Sequence, residues 1–329
     1  MPRLNQVGLR YLVMKKWLIG CLILLFVFFG LIYIFIPGKI SINSQASVKF
    51  ARSALERTLF NDDNWKKWWP HNTENDAKDS LGSGLIFNSY QYKIQGKKTS
   101  SILFDINKNN TVIHSSLNLF YDNNNTAILE WNGLLYTSNN PVKKLQDYFE
   151  AKRIEKDLKS ILNELKTFFA KTENIYGSLI EEKLVEDSVL IFTDTISDGY
   201  PSTEFIYSMI GNLKKNMLAN SVKETGYPML NVTTDDSIHY LVKVAIPVDK
   251  EMPATDHIAY KKMMKAGNIL VTEVKGGPYI INNAFKQMDT YVTDHERIPP
   301  AIPFLSLVTN RVREPDTSKW ITRIYYPVR

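Results

Sequence analysis

Two stretches near the C-terminal end share one pattern, and they limit the folds open to this chain more than any other feature. Residues 238–248 (IHYLVKVAIPV) and 320–328 (WITRIYYPV) each read as a β-strand closing on Pro-Val. Each carries one cation four residues before the proline, Lys243 in the first and Arg323 in the second. A strand sends alternate side chains to opposite faces. Leu241, Lys243 and Ala245 therefore share a face, as do Ile321, Arg323 and Tyr325. The opposite faces, Val242/Val244/Ile246 and Thr322/Ile324/Tyr326, suit packing against helices.

The strands belong to a longer duplication. The first copy runs strand 189–196, a turn at 198–201 (DGYP), a helix with Phe205, Ile206, Met209, Ile210, Leu213 and Met217, then strands 229–233 and 238–248. The second runs strand 269–274, a turn at 275–278 (KGGP), a helix with Ala284, Phe285, Met288, Tyr291 and Val292, then strands 304–308 and 320–328. Both copies are β-α-β-β, with glycine at the first turn and proline ahead of the third element. Two copies of one unit can face each other and enclose a cleft.

The rest of the chain precedes this module. Residues 17–36 form an apolar run without a charge, and about 20 residues at about 1.5 Å each span a bilayer core of about 30 Å. Arg3, Arg10, Lys15 and Lys16 stand before it with no acid among them. The positive-inside rule puts the N-terminus in the cytoplasm and the remainder across an inner membrane, in a single pass. Residues 35–38 (FIPG) lack a small-x-small cleavage site, which argues against a removed signal peptide. Residues 18–21 (LIGC) mimic a lipid-attachment motif, yet they open the apolar run instead of closing it.

Residues 38–177 form the second unit. A strand at 40–46 leads to a helix that Ser47 can cap, with Val48, Phe50, Ala51, Ala54, Leu55 and Leu59 at helical spacing. The segment 64–70 (NWKKWWP) follows, then strand-like runs 84–92, 100–107, 111–121 and 126–136. Asn107 to Asn110 and Asp122 to Asn125 are hairpin chemistry. A long amphipathic helix begins at Pro141, its apolar stripe running through Leu145, Tyr148, Ile154, Leu158, Ile161, Leu162, Leu165, Phe168 and Phe169.

On the tryptophan segment and this order of elements, residues 38–177 resemble the START-like superfamily (SRPBCC, or polyketide-cyclase-like). The resemblance implies a curved sheet gripping the long helix around an apolar cavity. The tryptophans either line that cavity or pack the loop beneath the sheet. On residues 266–278 (AGNILVTEVKGGP), Ala284-Phe285 and residues 322–328 (TRIYYPV), the last unit, 178–329, resembles the gyrase-inhibitor-like fold, also the effector-binding domain of AraC- and MerR-type activators. That resemblance implies pseudo-twofold symmetry and a central cleft for a small organic ligand. Many members carry an acid where this chain has Arg323. The fold class expected is α+β: a transmembrane helix (1–37), a helix-grip domain, and a duplicated β-α-β-β domain.

The ligand-binding set is Lys243, Arg323, Tyr325, Tyr240 and Glu273. Two cations about 8 Å apart in one cleft repel by about 2 kcal/mol at an effective dielectric of about 20. An anionic ligand would offset that, since a guanidinium takes a carboxylate or phosphate in bidentate fashion. Glu273 on the neighbouring strand is an internal alternative. Tyr325 and Tyr240 can stack on a ligand or fill core.

Composition narrows the remaining classes. The net charge of +6 comes from 40 basic and 34 acidic residues, largely interleaved, and no basic block argues for nucleic acid. Cys21 alone makes no disulfide or cysteine-metal framework within one chain. The five histidines, His71, His114, His239, His257 and His295, lack metal-ligand spacing, and no cofactor or metal is expected. No phosphate-cradling loop follows Gly276-Gly277. The function read from sequence is a membrane-anchored small-molecule sensor or carrier. The alternative is a hydrolase or cyclase, with Glu273 and Tyr325 as acid and base.

Overall fold

The computed structural model describes residues 4–70, 84–108, 111–122, 126–185, 189–234, 236–251, 258–263 and 266–329, with side chains from Met14 onward. The fold is mixed α+β with two antiparallel sheets, and it divides into two compact units, Met1–Phe168 and Phe169–Arg329. His71, His257 and the tips of the two polar hairpins lie outside the described residues.

The first unit opens with α1 (Leu4–Phe35), whose segment Met14–Phe35 is long and apolar enough to cross a membrane by length and composition. Its large side chains, Trp17, Phe26 and Ile34 among them, stand exposed. β1 (Lys39–Lys49) follows, then α2 (Arg52–Leu59) and α3 (Asp62–Trp65). Ser47 does not cap α2. The strand continues through Lys49, and Ala51 occupies the cap position without a side-chain bond. The expected strand at 84–92 is two strands, β2 (Leu85–Phe87) and β3 (Tyr90–Lys98). Asn88 and Ser89 both take positive φ between them, which is the geometry of a tight type I′ hairpin. β4 (Ser101–Lys108), β5 (Thr111–Tyr121), β6 (Thr126–Tyr136) and the long α4 (Pro141–Phe169) complete the unit.

The strand order is β1-β6-β5-β4-β3-β2, so the first strand closes on the last. Strict alternation of buried and exposed residues along β4, β5 and β6 turns Phe104, Ile106, Leu117, Leu119, Leu129 and Trp131 inward. The apolar stripe of α4 supplies Ile154, Leu158, Ile161 and Leu165, all fully buried. Trp65, Trp68 and Trp69 are buried as well. The Trp65 and Trp69 rings meet Phe104, Tyr92 and Trp131 at 5.2–6.4 Å between centroids, and Trp68 meets Trp65 at 4.8 Å. Trp65 Nε1 donates to the Leu59 carbonyl and Trp69 Nε1 to the Ile86 carbonyl, at 2.8 and 2.9 Å. The tryptophan segment is therefore interior packing, tied down at the indole N–H groups of Trp65 and Trp69, while Trp68 Nε1 is buried without a partner among the described residues.

The second unit begins with α5 (Thr172–Tyr176). Tyr176 is buried and donates to Asp294 Oδ2 at 2.9 Å, which binds this short helix to residues over a hundred positions away. The remaining elements are β7 (Glu181–Leu184), β8 (Val189–Asp198), α6 (Thr203–Ala219), β9 (Met229–Thr234), β10 (His239–Val248), β11 (Ala259–Lys262), β12 (Asn268–Lys275), α7 (Pro278–Asp294), β13 (Phe304–Leu307) and β14 (Ile321–Val328). Their order in the sheet is β11-β8-β10-β9-β13-β14-β12-β7. The outer strands β7 and β11 carry no apolar alternation and were invisible in the pattern.

That order reads the same from both ends. β8-α6-β9-β10 and β12-α7-β13-β14 are two β-α-β-β halves joined by β9 and β13, and Leu230 pairs directly with its counterpart Leu305 at the junction. The copies meet edge to edge in one continuous sheet. Each half would otherwise leave β9 or β13 with unpaired backbone groups, and the junction satisfies both. Ile206, Met209, Ile210, Leu213 and Met217 of α6 pack on Ile191, Val242, Val244 and Ile246. Ile281, Ala284, Met288 and Val292 are the buried positions of α7, and Ile324 and Tyr326 are buried on β14.

Candidate functional site

The face of the second sheet turned away from α6 and α7 collects the candidate residues. Lys243 and Ala245 alternate with the helix-facing Val242, Val244 and Ile246, and both are half-buried. Arg323 and Tyr325 alternate in the same way with Thr322, Ile324 and Tyr326. The two halves place equivalent pairs there. Lys243 stands opposite Asp194, and Arg323 stands opposite Glu273. In the second half the pair closes: Arg323 Nε donates to Glu273 Oε2 at 2.8 Å. That bond, the largest influence, raises the guanidinium above its ordinary pKa.

This arrangement changes the electrostatic argument. Each cation sits across from an acid, so no uncompensated pair of positive charges calls for an anion. The internal carboxylate takes the part that an anionic ligand was expected to play. Glu273 is half-exposed, with 51% of its side chain open, and it is occupied by Arg323. A desolvated carboxylate beside a tyrosine, the arrangement that acid–base chemistry favours, is absent at this pair.

Tyr325 has an aromatic partner. Its ring stacks on Phe304 with centroids 5.1 Å apart and planes 9° off parallel. The equivalent positions in the first half hold Ala245 and Met229, which face each other in register. Ser306 is buried between these features, opposite Arg323. Asn231, opposite Lys243, donates through Nδ2 to the Pro303 carbonyl at 2.8 Å. Tyr240 is the exception within the set. Its position along β10 has the parity of Val242 and Val244, so it points to the helix side, where its ring meets Tyr200 at 5.6 Å. The face thus brings together Lys243, Arg323, Glu273 and Tyr325 and leaves Tyr240 out. It adds Asp194, Phe304 and Ser306, which strand parity alone could not place because the pairing partners of β10 and β14 were unknown.

A second polar cluster lies in the first unit, at the end of the sheet where β3 begins and β4 ends. A cavity of about 230 Å³ is lined there by Tyr90, Lys108, Leu135, Tyr136, Asp147 and Glu150, with Ile106, Thr111, Ile113 and Gln146. Lys108 Nζ lies 3.3 Å from Glu150, 3.5 Å from Tyr90 Oη and 4.5 Å from the Tyr90 ring. Burial, followed by the bond to Glu150, pushes the Tyr90 hydroxyl far above its ordinary pKa, so it stays protonated. Nearby, Asp157 of α4 is a buried carboxylate accepting from Asn88 Nδ2 at 2.8 Å. Desolvation raises its pKa, and the Asn88 bond and Lys108 oppose that only in part. Tyr92 Oη is buried without a partner among the described residues. One signal for this cluster was available: Asp157 falls within the apolar stripe of α4, between Ile154 and Ile161.

Among the described residues no group of three histidine, cysteine or acidic side chains is arranged to hold a metal ion. Scans against protein families and curated proteins found no match. Solved structures do show partial similarity. The C-terminal domain of EcmrR is 16% identical at a TM-score of 0.40, covering 46% of this chain and 98% of that one. EcmrR in its complex with DNA is 16% identical at a TM-score of 0.43, covering 58% and 72%. A hydrolase from Listeria innocua is 11% identical at 0.34, covering 46% and 91%.

Proposed function

We propose that this chain is a membrane-anchored protein that binds a small organic molecule on the helix-free face of its C-terminal sheet. In this reading α1 is a single-pass anchor with the N-terminus in the cytoplasm, and both units lie outside the cytoplasm. Residues 38–177 form a START-like domain, for which the closure of the first strand on the last, around one long helix, is the supporting feature. Residues 178–329 form a gyrase-inhibitor-like domain, for which the mirrored strand order about Leu230 and Leu305 is the supporting feature.

The observation that carries the binding reading is the half-buried Phe304–Tyr325 stack beside the Arg323–Glu273 ion pair on that face. A flat aromatic platform with both signs of charge at its edge suits a planar ligand bearing polar groups. Asp194 and Glu273 balance Lys243 and Arg323, so a zwitterionic or neutral polar ligand fits this face better than a simple anion. Mass spectrometry of small molecules retained by the purified full-length protein tests this. Tyr325→Ala and Arg323→Ala should each remove the retained species. A retained profile identical in wild type and both variants would take this face out of the binding.

A further inference from the structure

We propose that Arg311 holds a small organic carboxylate, on the side of the C-terminal sheet opposite to the face described above. The duplication is broken at one connection. In the first half residues 235–238 join β9 to β10, and in the second residues 308–320 join β13 to β14. The longer connection crosses to the helix of the other half. Tyr207 of α6 donates through Oη to the Thr309 carbonyl at 3.2 Å and accepts from the Arg311 backbone N–H at 2.8 Å. Trp320 and Thr322, which the Arg311 side chain reaches, are buried and share the parity of Ile324 and Tyr326. The guanidinium therefore lies on the helix side of β14.

Around that guanidinium stand rings and hydroxyls, and no acid. Arg311 Nη2 donates to Thr322 Oγ1 at 3.1 Å, and Arg311 Cζ lies 4.6 Å from the centre of the Trp320 ring. No carboxylate among the described residues pairs with it. The two acids of the same connection are committed to its own backbone. Glu314 Oε1 accepts from the Asp316 N–H at 3.0 Å, and Asp316 Oδ1 accepts from the Ser318 N–H at 3.0 Å. Desolvation lowers the Arg311 pKa, and the groups acting against that are the Tyr207 and Tyr200 hydroxyls. Arg323, next to Thr322 on the other face, meets the opposite condition, because Glu273 answers its charge. One strand thus separates a compensated arginine from an uncompensated one.

A guanidinium carries about five N–H donors in a planar fork. Among the described residues Thr322 takes one of them. Drawing a cation out of water without a counter-ion is costly. Contact with the Trp320 ring offsets part of that cost. A carboxylate in the open part of the fork offsets the rest with two parallel charge-assisted bonds. One negative charge answers one positive charge, which favours a monocarboxylate over a phosphate group carrying more than one. Arg311 is half-buried and not sealed, so the fork stays open to solutes. The connection is fastened before any ligand arrives. Ile321 N–H donates to Thr309 Oγ1 at 2.9 Å, Thr309 N–H to the Ile321 carbonyl at 3.1 Å, and Trp320 Nε1 to the Glu314 carbonyl at 2.8 Å. A guanidinium held in place in this way loses little freedom on binding.

Equilibrium dialysis of the full-length protein in detergent against benzoate, benzamide and inorganic phosphate reads this directly. Benzoate should bind saturably, about tenfold tighter than benzamide, its uncharged counterpart, and tighter than phosphate. Arg311→Gln should abolish benzoate binding. Arg311→Lys, which keeps the charge and loses the fork, should weaken it by about tenfold, with thermal unfolding to show that both variants are folded. Arg323→Ala removes the guanidinium on the other face and should leave benzoate binding within about twofold of wild type. Benzoate bound no better than benzamide or phosphate overturns the proposal, and so does benzoate binding unchanged in both Arg311 variants. Benzoate binding lost in Arg323→Ala and kept in Arg311→Gln also overturns it, and places the carboxylate on the helix-free face instead.

Discussion

The two sheets each turn one face to helices, and what they place on the other face differs. On the N-terminal sheet the outward residues of β1 are Lys39, Ser41, Asn43, Gln45 and Ser47, and β6 adds Glu130 and Asn132. The same face also carries Ile128, Leu134 and Tyr136 on β6 and Val112 and Phe120 on β5. On the C-terminal sheet the corresponding face carries Leu241, Ala245, Phe304 and Tyr325 among its charges, and these residues are half-buried. Apolar surface costs about 25 cal/mol per Å² when left to water. Both sheets bear some of that cost; on the C-terminal one it falls beside an ion pair, where Phe304 and Tyr325 stack. The N-terminal unit buries Trp65, Trp68, Trp69 and Trp131 and leaves Phe120, Tyr136 and Phe149 exposed.

Substitution should separate filled interior from open face by size of effect. Trp131 is fully buried, its Nε1 donating to Ser115 Oγ at 3.1 Å and its ring 4.7 Å from Phe104. Trp131→Ala should cost about 3–5 kcal/mol, a large-to-small change at a site that cannot collapse. Denaturant unfolding of the variant measures it. A loss under about 1 kcal/mol would mean that the aromatic interior is loose, and the contrast between the sheets would fail. Tyr325→Ala, on the open face, should cost about 1–2 kcal/mol from lost stacking on Phe304 and abolish ligand retention. Arg323→Ala should move stability by no more than about 1 kcal/mol, as exposed ion pairs do, while still removing the ligand. A stability loss in Arg323→Ala as large as in Trp131→Ala would recast the ion pair as a structural strut.

Much of this layout could be read before any coordinates. Period-two alternation placed β5 and β6 at their observed limits, because each buries one face against a helix. The repeated Pro-Val strands revealed the duplication, since two halves under the same packing demand keep the same punctuation. The site was legible in its cations but not in its company. Glu273 could be named from its place on the neighbouring strand. Asp194 and Phe304 depend on a register set by the β9–β13 junction, which no local pattern encodes. Tyr240 shows the same limit: parity put it on the helix side, and only its attractive chemistry argued for the cleft. The N-terminal cavity went unseen because Tyr90, Lys108 and Glu150 come together from two strands and a helix far apart in sequence.

The smallest effect is also the one that distinguishes the two regions by pH. The acids on the open face, Asp194 and Glu273, are exposed, whereas Asp157 is buried in the N-terminal unit. Desolvation raises its pKa; Glu150 adds to that, while Asn88, Lys108 and Lys156 work against it. A carboxyl whose folded pKa lies above its unfolded value holds its proton more tightly in the folded state. Its contribution to stability is complete below the unfolded pKa and is lost as pH rises through the folded pKa. Asp157→Asn removes that loss and keeps an oxygen for the Asn88 amide. The variant should therefore melt above wild type at neutral pH, and the gap should close as pH falls into the ordinary carboxylate range, by which point the folded wild-type carboxyl has regained its proton. Glu273→Gln, at an exposed acid of the open face, is the companion variant. Thermal melts of both variants across that range decide it, and parallel melting curves for Asp157→Asn and wild type would show that this buried acid is as well solvated as those on the open face.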